Sequence, residues 1–306
     1  MGNRMEGRVV IVTGAGRGIG REVSHWMAAD GASVVVNDLG GAVDGEGTSD
    51  SPAEQTAREI RDKGGSAVAN FDSVAEYESA GKIIQTAIDN FGRLDAVCHV
   101  AGILRDRMLH KMSPEDWLGV LAVHLTGHFN VTRAAINHFR EQEWGRIINF
   151  TSTSGIVGNL GQTNYGSAKL GIFAFTRILA LETSRFENIT ANAISPFAYT
   201  RMIATIPVKD EASKARVEKI KKMKAEDIAP VVTWLCSEEA KEVSGQIFGV
   251  RAGEIMIFSQ PRPTRSIHRN GGWTPEEVGG IAMPALRPFF EEPQVSADIF
   301  PYDPMD

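Results

Sequence analysis

Apolar residues in this chain come in short unbroken runs, separated by stretches with a helical period. Val9-Val10-Ile11-Val12 is the first run, and a β-branched block of that kind reads as a strand buried on both faces, as in a parallel sheet. Similar runs at 33–38, 66–71, 94–100, 146–151, 189–194 and 246–250 predict further strands. Helical patterns lie between them, at 19–29, 52–63, 76–91 and from 114 to about 142 with a break, then in a long helix through Tyr165 and in 230–237. Ser113-Pro114-Glu115-Asp116 supplies a serine cap, a first-turn proline and first-turn acids for one of these helices. Strands that alternate with helices imply an α/β fold: a doubly wound, mostly parallel sheet with helices on both faces.

Two segments depart from the alternation. Residues 39–51 are rich in glycine, serine and aspartate and read as a surface loop. From about 260 the apolar pattern fades into prolines and charges, apart from a helix-cap signature at Thr274-Pro275-Glu276-Glu277. We therefore expect a dinucleotide-type domain over 1–259 and an extension over 260–306. The extension either packs over the core or a partner subunit, or is a partly disordered tail.

Composition narrows the function classes. The 306 residues carry a net charge of −6 with no basic block, which argues against nucleic-acid binding. No apolar run approaches a membrane span, and the first strand follows the start too closely for a signal peptide. The final Pro304-Met305-Asp306 is no retention or peroxisomal signal. Cys98 and Cys236 lack metal-ligand spacing and read as buried thiols of a reducing compartment. The expectation is a cytoplasmic protein with no metal site, no membrane partner and a small-molecule substrate.

The chemistry begins at Thr13-Gly14-Ala15-Gly16-Arg17-Gly18-Ile19-Gly20, between the first strand and the first helix. Gly14, Gly16, Gly18 and Gly20 permit a tight turn and close backbone approach, and the helix from Ile19 would aim its amides at a pyrophosphate. The second strand ends in Asp38, at the spacing expected for a carboxylate on the adenine ribose, which favours NAD over NADP. Arg17 argues weakly for a 2′-phosphate and otherwise reads as a solvated turn residue.

Tyr165 and Lys169 stand four apart on a helix and so share a face. A lysine beside a phenol favours the phenolate, drawing the tyrosine pKa from about 10 towards neutrality. Such a tyrosine exchanges a proton with an alcohol or ketone oxygen. Ser152 stands thirteen residues before Tyr165, with Thr151, Thr153 and Ser154 as neighbouring hydroxyls that could take its place.

Together Thr13–Gly20, Val100-Ala101-Gly102, Ser152, Tyr165/Lys169 and Ser195-Pro196 resemble the short-chain dehydrogenase/reductase family over about 6–255. The segments at 34–41, 102–107 and 231–236, with Thr274-Pro275-Glu276, look most like its (3R)-hydroxyacyl-CoA dehydrogenase branch, the unit found in multifunctional enzyme type 2. That resemblance implies Tyr165 as general acid/base, Lys169 on the nicotinamide ribose and Ser152 on the substrate oxygen. It also implies cofactor contacts from Ala101 and Gly102, from Asp72 and Ser73 beside the adenine, and from Pro196, Ala198 and Thr200 at the nicotinamide amide. Where the family has a water-holding asparagine this chain has His124, which either holds the same water or is a core histidine. His99 stands where the family shows asparagine, and reads as structural.

The substrate loop and helix would span 199–223. Its Lys209, Lys214, Arg216, Lys219, Lys221 and Lys222 either meet coenzyme A phosphates or form a solvated face, and Arg105 and Arg107 are equally open. The resemblance implies NAD-dependent oxidation of a (3R)-hydroxyacyl-CoA, including bulky steroid-type acyl groups handled by bacterial relatives. The rivals are a hydroxysteroid dehydrogenase, a 3-oxoacyl carrier reductase, and a non-catalytic dimer partner. A homodimer is implied, with pairing into a tetramer left open.

Overall fold

Val10 and Val12 pack into one hydrophobic core while Val9 and Ile11 pack into another, as a strand inside a covered sheet must. Each such side chain gains about 1.5–3 kcal/mol on full burial, so the run has no stable solvent-exposed alternative. A computed structural model describes residues 2–199, 217–301 and 303. Its sheet follows the order β3-β2-β1-β4-β5-β6-β7-β8. The strands are β1 (Val9–Thr13), β2 (Ser33–Asn37), β3 (Ser66–Asn70), β4 (Ala96–His99), β5 (Gly145–Phe150), β6 (Ile189–Phe197), β7 (Ile247–Arg251) and β8 (Glu254–Ile257). All pairs are parallel except β7 with β8.

On one face α1 (Gly18–Ala29), α2 (Ser51–Asp62) and the helix Ala229–Cys236 bury Met27, Ile60 and Val232 against the sheet. On the other, α3 (Tyr77–Phe91) and α5 (Gly127–Glu141) bury Ile83 and Phe139. The predicted break in the long helix is a π-helical turn, Ala122–Thr126, between α4 (Pro114–Leu121) and α5. Ser113 caps α4 as expected, and Asp116 completes the cap by accepting in return from Ser113 N. Beyond β5 come the short α6 (Thr153–Ile156) and the long α7 (Thr163–Thr183).

Strand order reverses between β1 and β4, and that switch opens a crevice at the carboxyl ends of the strands. Thr13 is registered with His99, and His99 with Asn149, so the loops after β1, β4 and β5 all emerge at this crevice.

The antiparallel β8 is not anticipated by the sequence reading. Its isoleucines, Ile255 and Ile257, point to solvent, and Ala252 at φ 49° replaces the glycine or asparagine that would advertise a hairpin. In the extension, Thr274 and Glu277 form the anticipated cap. The chain end then returns to the core: Ser296 N donates to Gly158 O at 3.1 Å, and the Phe300 ring meets Phe197 edge-on at 4.8 Å.

Candidate active site

Gly14 turns out of β1 at φ 65°, and a Cβ there would lie 2.7 Å from the Ala101 backbone. The glycine turn can therefore press against the loop after β4 only without side chains. Gly18 opens α1 at φ 53°, and Gly20 touches Gly14 so closely that a Cβ would meet its carbonyl oxygen at 2.3 Å. No side chain caps the N-terminus of α1, leaving its first amides for another acceptor.

A cleft of about 240 Å³ runs along the crevice. Arg17, Asp38, Asp72 and Ser73 stand along it with Gly14, Gly18 and Ile19; Ala101 and Gly102 also line it, as do Tyr165, Lys169, His124 and Pro196. Gly16 lies outside this lining, in a neighbouring depression with Arg17, Arg21 and Gln55. The methyl of Ala198 is packed into the core, and Thr200 lies outside the described residues, as do Lys209, Lys214 and Arg216. Asp38 is fixed from both sides: Gly16 N donates to Oδ2 at 2.8 Å and Gly40 N to Oδ1 at 2.7 Å. A bare helix N-terminus, a fixed carboxylate and glycines pressed to backbone suit a dinucleotide, whose pyrophosphate needs amides and whose ribose needs an acceptor.

At the far end, Ser152 starts α6; its Oγ accepts from Ser154 N at 3.1 Å, donates to Ser154 Oγ at 3.2 Å, and acts on the nearby Tyr165 phenol. Buried Asn164 steadies the first turn of α7. Its Nδ2 donates to Arg105 O and Asp116 O, at 3.0 and 3.1 Å, and its Oδ1 accepts from Tyr165 N at 2.8 Å. The sequence reading passed over Asn164, although its place directly before Tyr165 was the available signal. Lys169 is 4% exposed, and its Nζ donates to Phe150 O at 2.5 Å.

The electrostatics differ from expectation. Lys169 was expected to draw the Tyr165 phenol towards neutrality. Instead burial pushes the phenol up to about 12, the Ser152 hydroxyl opposing and the Asp106 charge adding to the rise. Burial pushes Lys169 down to about 7, so its charge is itself marginal at neutral pH. Asp106, held by Gln162 Nε2 at 2.8 Å, is thus a neighbour of the site to which the sequence reading gave no role.

His124 projects from the π-helical turn, its ring edge-on to Tyr165 at 5.1 Å. Its Nε2 lies 2.8 Å from Ile103 O and 3.1 Å from Ile103 N, while Nδ1 has no protein partner. Burial, then the Lys169 charge, hold this imidazole well below its ordinary pKa, so it is neutral. His99 stacks on His128 at 4.6 Å and meets Thr132 Oγ1 at 3.0 Å, deep beneath the site. Among the described residues no cluster of His, Cys, Asp and Glu is placed to hold a metal, and no helix is long and apolar enough to cross a membrane.

The chain is similar to several known proteins. A family profile described as short chain dehydrogenase matches residues 8–210. A Mycobacterium tuberculosis protein described as a short-chain type dehydrogenase/reductase is 50% identical over 251 residues, covering 82% of this chain and 84% of that protein. Mouse peroxisomal multifunctional enzyme type 2 is 47% identical over 277 residues, 90% of this chain but 36% of that longer enzyme. A hydroxyacyl-CoA dehydrogenase of M. tuberculosis is 36% identical, across 90% of this chain and 87% of that one. The crystal structure of a short chain dehydrogenase from Mycobacterium avium superposes with a TM-score of 0.82 at 38% identity, covering 95% of this chain and 98% of that one.

Proposed function

The chain belongs to the short-chain dehydrogenase family and is an oxidoreductase acting on alcohols, related to hydroxyacyl-CoA dehydrogenases; from that premise we propose that it oxidises a (3R)-hydroxyacyl-CoA with NAD. The carrying observation is that Tyr165 and Lys169, with Ser152 acting on the phenol, line one cleft with Asp38. Nicotinamide, when bound, supplies the hydride acceptor. Ser152 and Tyr165 hold the substrate oxygen, and Tyr165 takes its proton. Lys169, in its protonated form, supplies the positive charge that favours the Tyr165 phenolate needed to accept that proton. Asp38 favours NAD, because a 2′-phosphate would face its carboxylate.

Likeness to a hydroxyacyl-CoA dehydrogenase supports the thioester, and a bulky steroid-type acyl group belongs to the same proposal. Leu118 on α4, Phe129 on α5 and Leu170, Ile178 and Leu181 on α7 are exposed apolar side chains, which supports a homodimer through these helices. The extension 260–306 is proposed to screen the substrate side, on the strength of the Phe300–Phe197 contact.

The test is NADH formation with (3R)- and (3S)-hydroxyacyl-CoA thioesters, straight-chain and steroid-linked, beside free hydroxysteroids, with NAD and NADP in parallel. Turnover of one (3R)-thioester class with NAD is expected. Activity confined to free steroids or to NADP would overturn the substrate or the cofactor assignment.

A further inference from the structure

The connection from β2 to α2, which its composition marks as a surface loop, bends back over the cleft. Residues 42–46 form a tight turn, with Ala42 N donating to Glu46 O at 2.9 Å and Gly45 N to Ala42 O at 3.1 Å. That turn is tied to the opposite wall of the crevice, where Leu104 N donates to Val43 O at 2.9 Å. Arg105 makes the remaining links. Its Nε donates to Asp44 O at 2.7 Å, Nη2 pairs with the Glu46 carboxylate at 2.9 Å, and Nη1 reaches Glu115 O at 3.3 Å. One guanidinium thereby joins the turn to the start of α4, using three donors in a fixed fork that a lysine lacks.

The span lies over the dinucleotide path. Gly41, Ala42, Val43 and Gly45 line the same cleft as Gly14, Asp72 and Gly102. Both banks of the crevice are therefore joined above it by one backbone hydrogen bond and the contacts of Arg105. The Arg105 backbone is anchored in turn to the catalytic helix, because its carbonyl accepts from Asn164 Nδ2 at 3.0 Å. A ligand lying between α1 and the β4 loop could not leave past this span while both sets of links hold.

We propose that residues 42–46 are a strap across the dinucleotide cleft and that Arg105 is the positioning residue that latches it, setting how fast the dinucleotide is released. The proposal rests on the dinucleotide reading given under Proposed function. It assigns a role to Arg105, which sequence left undecided between coenzyme A and solvent.

The experiment measures NADH release by stopped-flow fluorescence, with amide hydrogen exchange of 42–46 in the ligand-free protein. Arg105→Ala should release NADH about tenfold faster or more, since three hydrogen bonds are lost, and should speed exchange across 42–46. Arg105→Lys should fall between the two, because a single ammonium does not match three acceptors. Glu46→Gln should speed release about two- to fivefold, the range for a largely exposed ion pair. Glu46 is 74% exposed, so this variant carries the test if Arg105→Ala does not fold. Release within twofold of the native rate in every folded variant would overturn the strap while leaving dinucleotide binding intact. Failure of the native protein to bind NADH at all would overturn both the strap and the dinucleotide reading.

Discussion

Lys169 Nζ donates to the Phe150 carbonyl at 2.5 Å and lies 5.5 Å from the centre of the Tyr165 ring. The lysine is thus held by the end of β5, beside the phenol rather than on its oxygen. Burial dominates both groups, lifting Tyr165 to about 12 and lowering Lys169 to about 7. Alcohol oxidation needs a phenolate, whereas ketone reduction needs a phenol. We expect kcat/KM for oxidation to climb from pH 6 to at least pH 9, and kcat/KM for reduction to stay level or fall over that range. Initial rates in both directions across this interval give the comparison. Parallel profiles would mean that another group supplies and removes the proton.

Stability should carry the mark of the same lysine. Its folded pKa, about 7, lies below the ordinary value, so the unfolded chain binds the extra proton between about pH 7 and 10.4. Stability from this group therefore rises with pH through that window, and at pH 6 the fold bears the full cost of a buried charge. Lys169→Met removes that cost but leaves the Phe150 carbonyl without its donor, which returns about 1–3 kcal/mol of it. A net gain of roughly 1–3 kcal/mol is expected at pH 6, shrinking towards pH 10, together with near-complete loss of activity. Thermal melts at the two pH values decide it. A variant less stable than the native protein at pH 6 would contradict the burial argument.

The strands and the glycine turn were legible because each rests on a local rule. A β-branched run has one buried solution, and Gly14 faces a backbone that leaves no room for Cβ. The Tyr165/Lys169 pair was legible as geometry and misread as electrostatics. Spacing says that two side chains share a face, but burial depends on what the rest of the chain packs around them. The proposed strap was missed for a related reason: 42–46 has the composition of a solvated loop, and Leu104 and Arg105, some 60 residues away, hold it down. β8 was hidden by outward-facing isoleucines.

Asp38 offers a test of cofactor choice. Its carboxylate already accepts from Gly16 N and Gly40 N, so it is rigid, and Asp38→Ala strands both donors. Hydrogen bonds to charged groups are worth about 1.5–3 kcal/mol, or roughly ten- to a hundredfold. We expect kcat/KM with NAD to fall by at least about tenfold, and kcat/KM with NADP to fall less or rise. The diagnostic quantity is the ratio of the two. An unchanged ratio would remove Asp38 from cofactor selection and shift attention to Arg17 and Arg21, which border the adjoining depression.

Gly102 and His124 form the last pair with a measurable consequence. A Cβ built on Gly102 would lie 2.3 Å from His124 Cε1 and 3.1 Å from Nε2. The imidazole cannot retreat, because it is fully enclosed and its Nε2 is engaged at Ile103. Gly102→Ala should therefore cost about 1–3 kcal/mol, the usual range for overpacking a tight core. It should also weaken dinucleotide binding, since Gly102 lines the cleft. His124→Asn shortens the side chain and frees that space. In the double variant Gly102→Ala/His124→Asn most of the lost stability should return, giving a clear non-additive term in a double-mutant cycle. Chemical denaturation of the four proteins supplies that term. Additive losses would show that the glycine is needed for its backbone freedom, or for the cofactor, and not for the histidine packed against it.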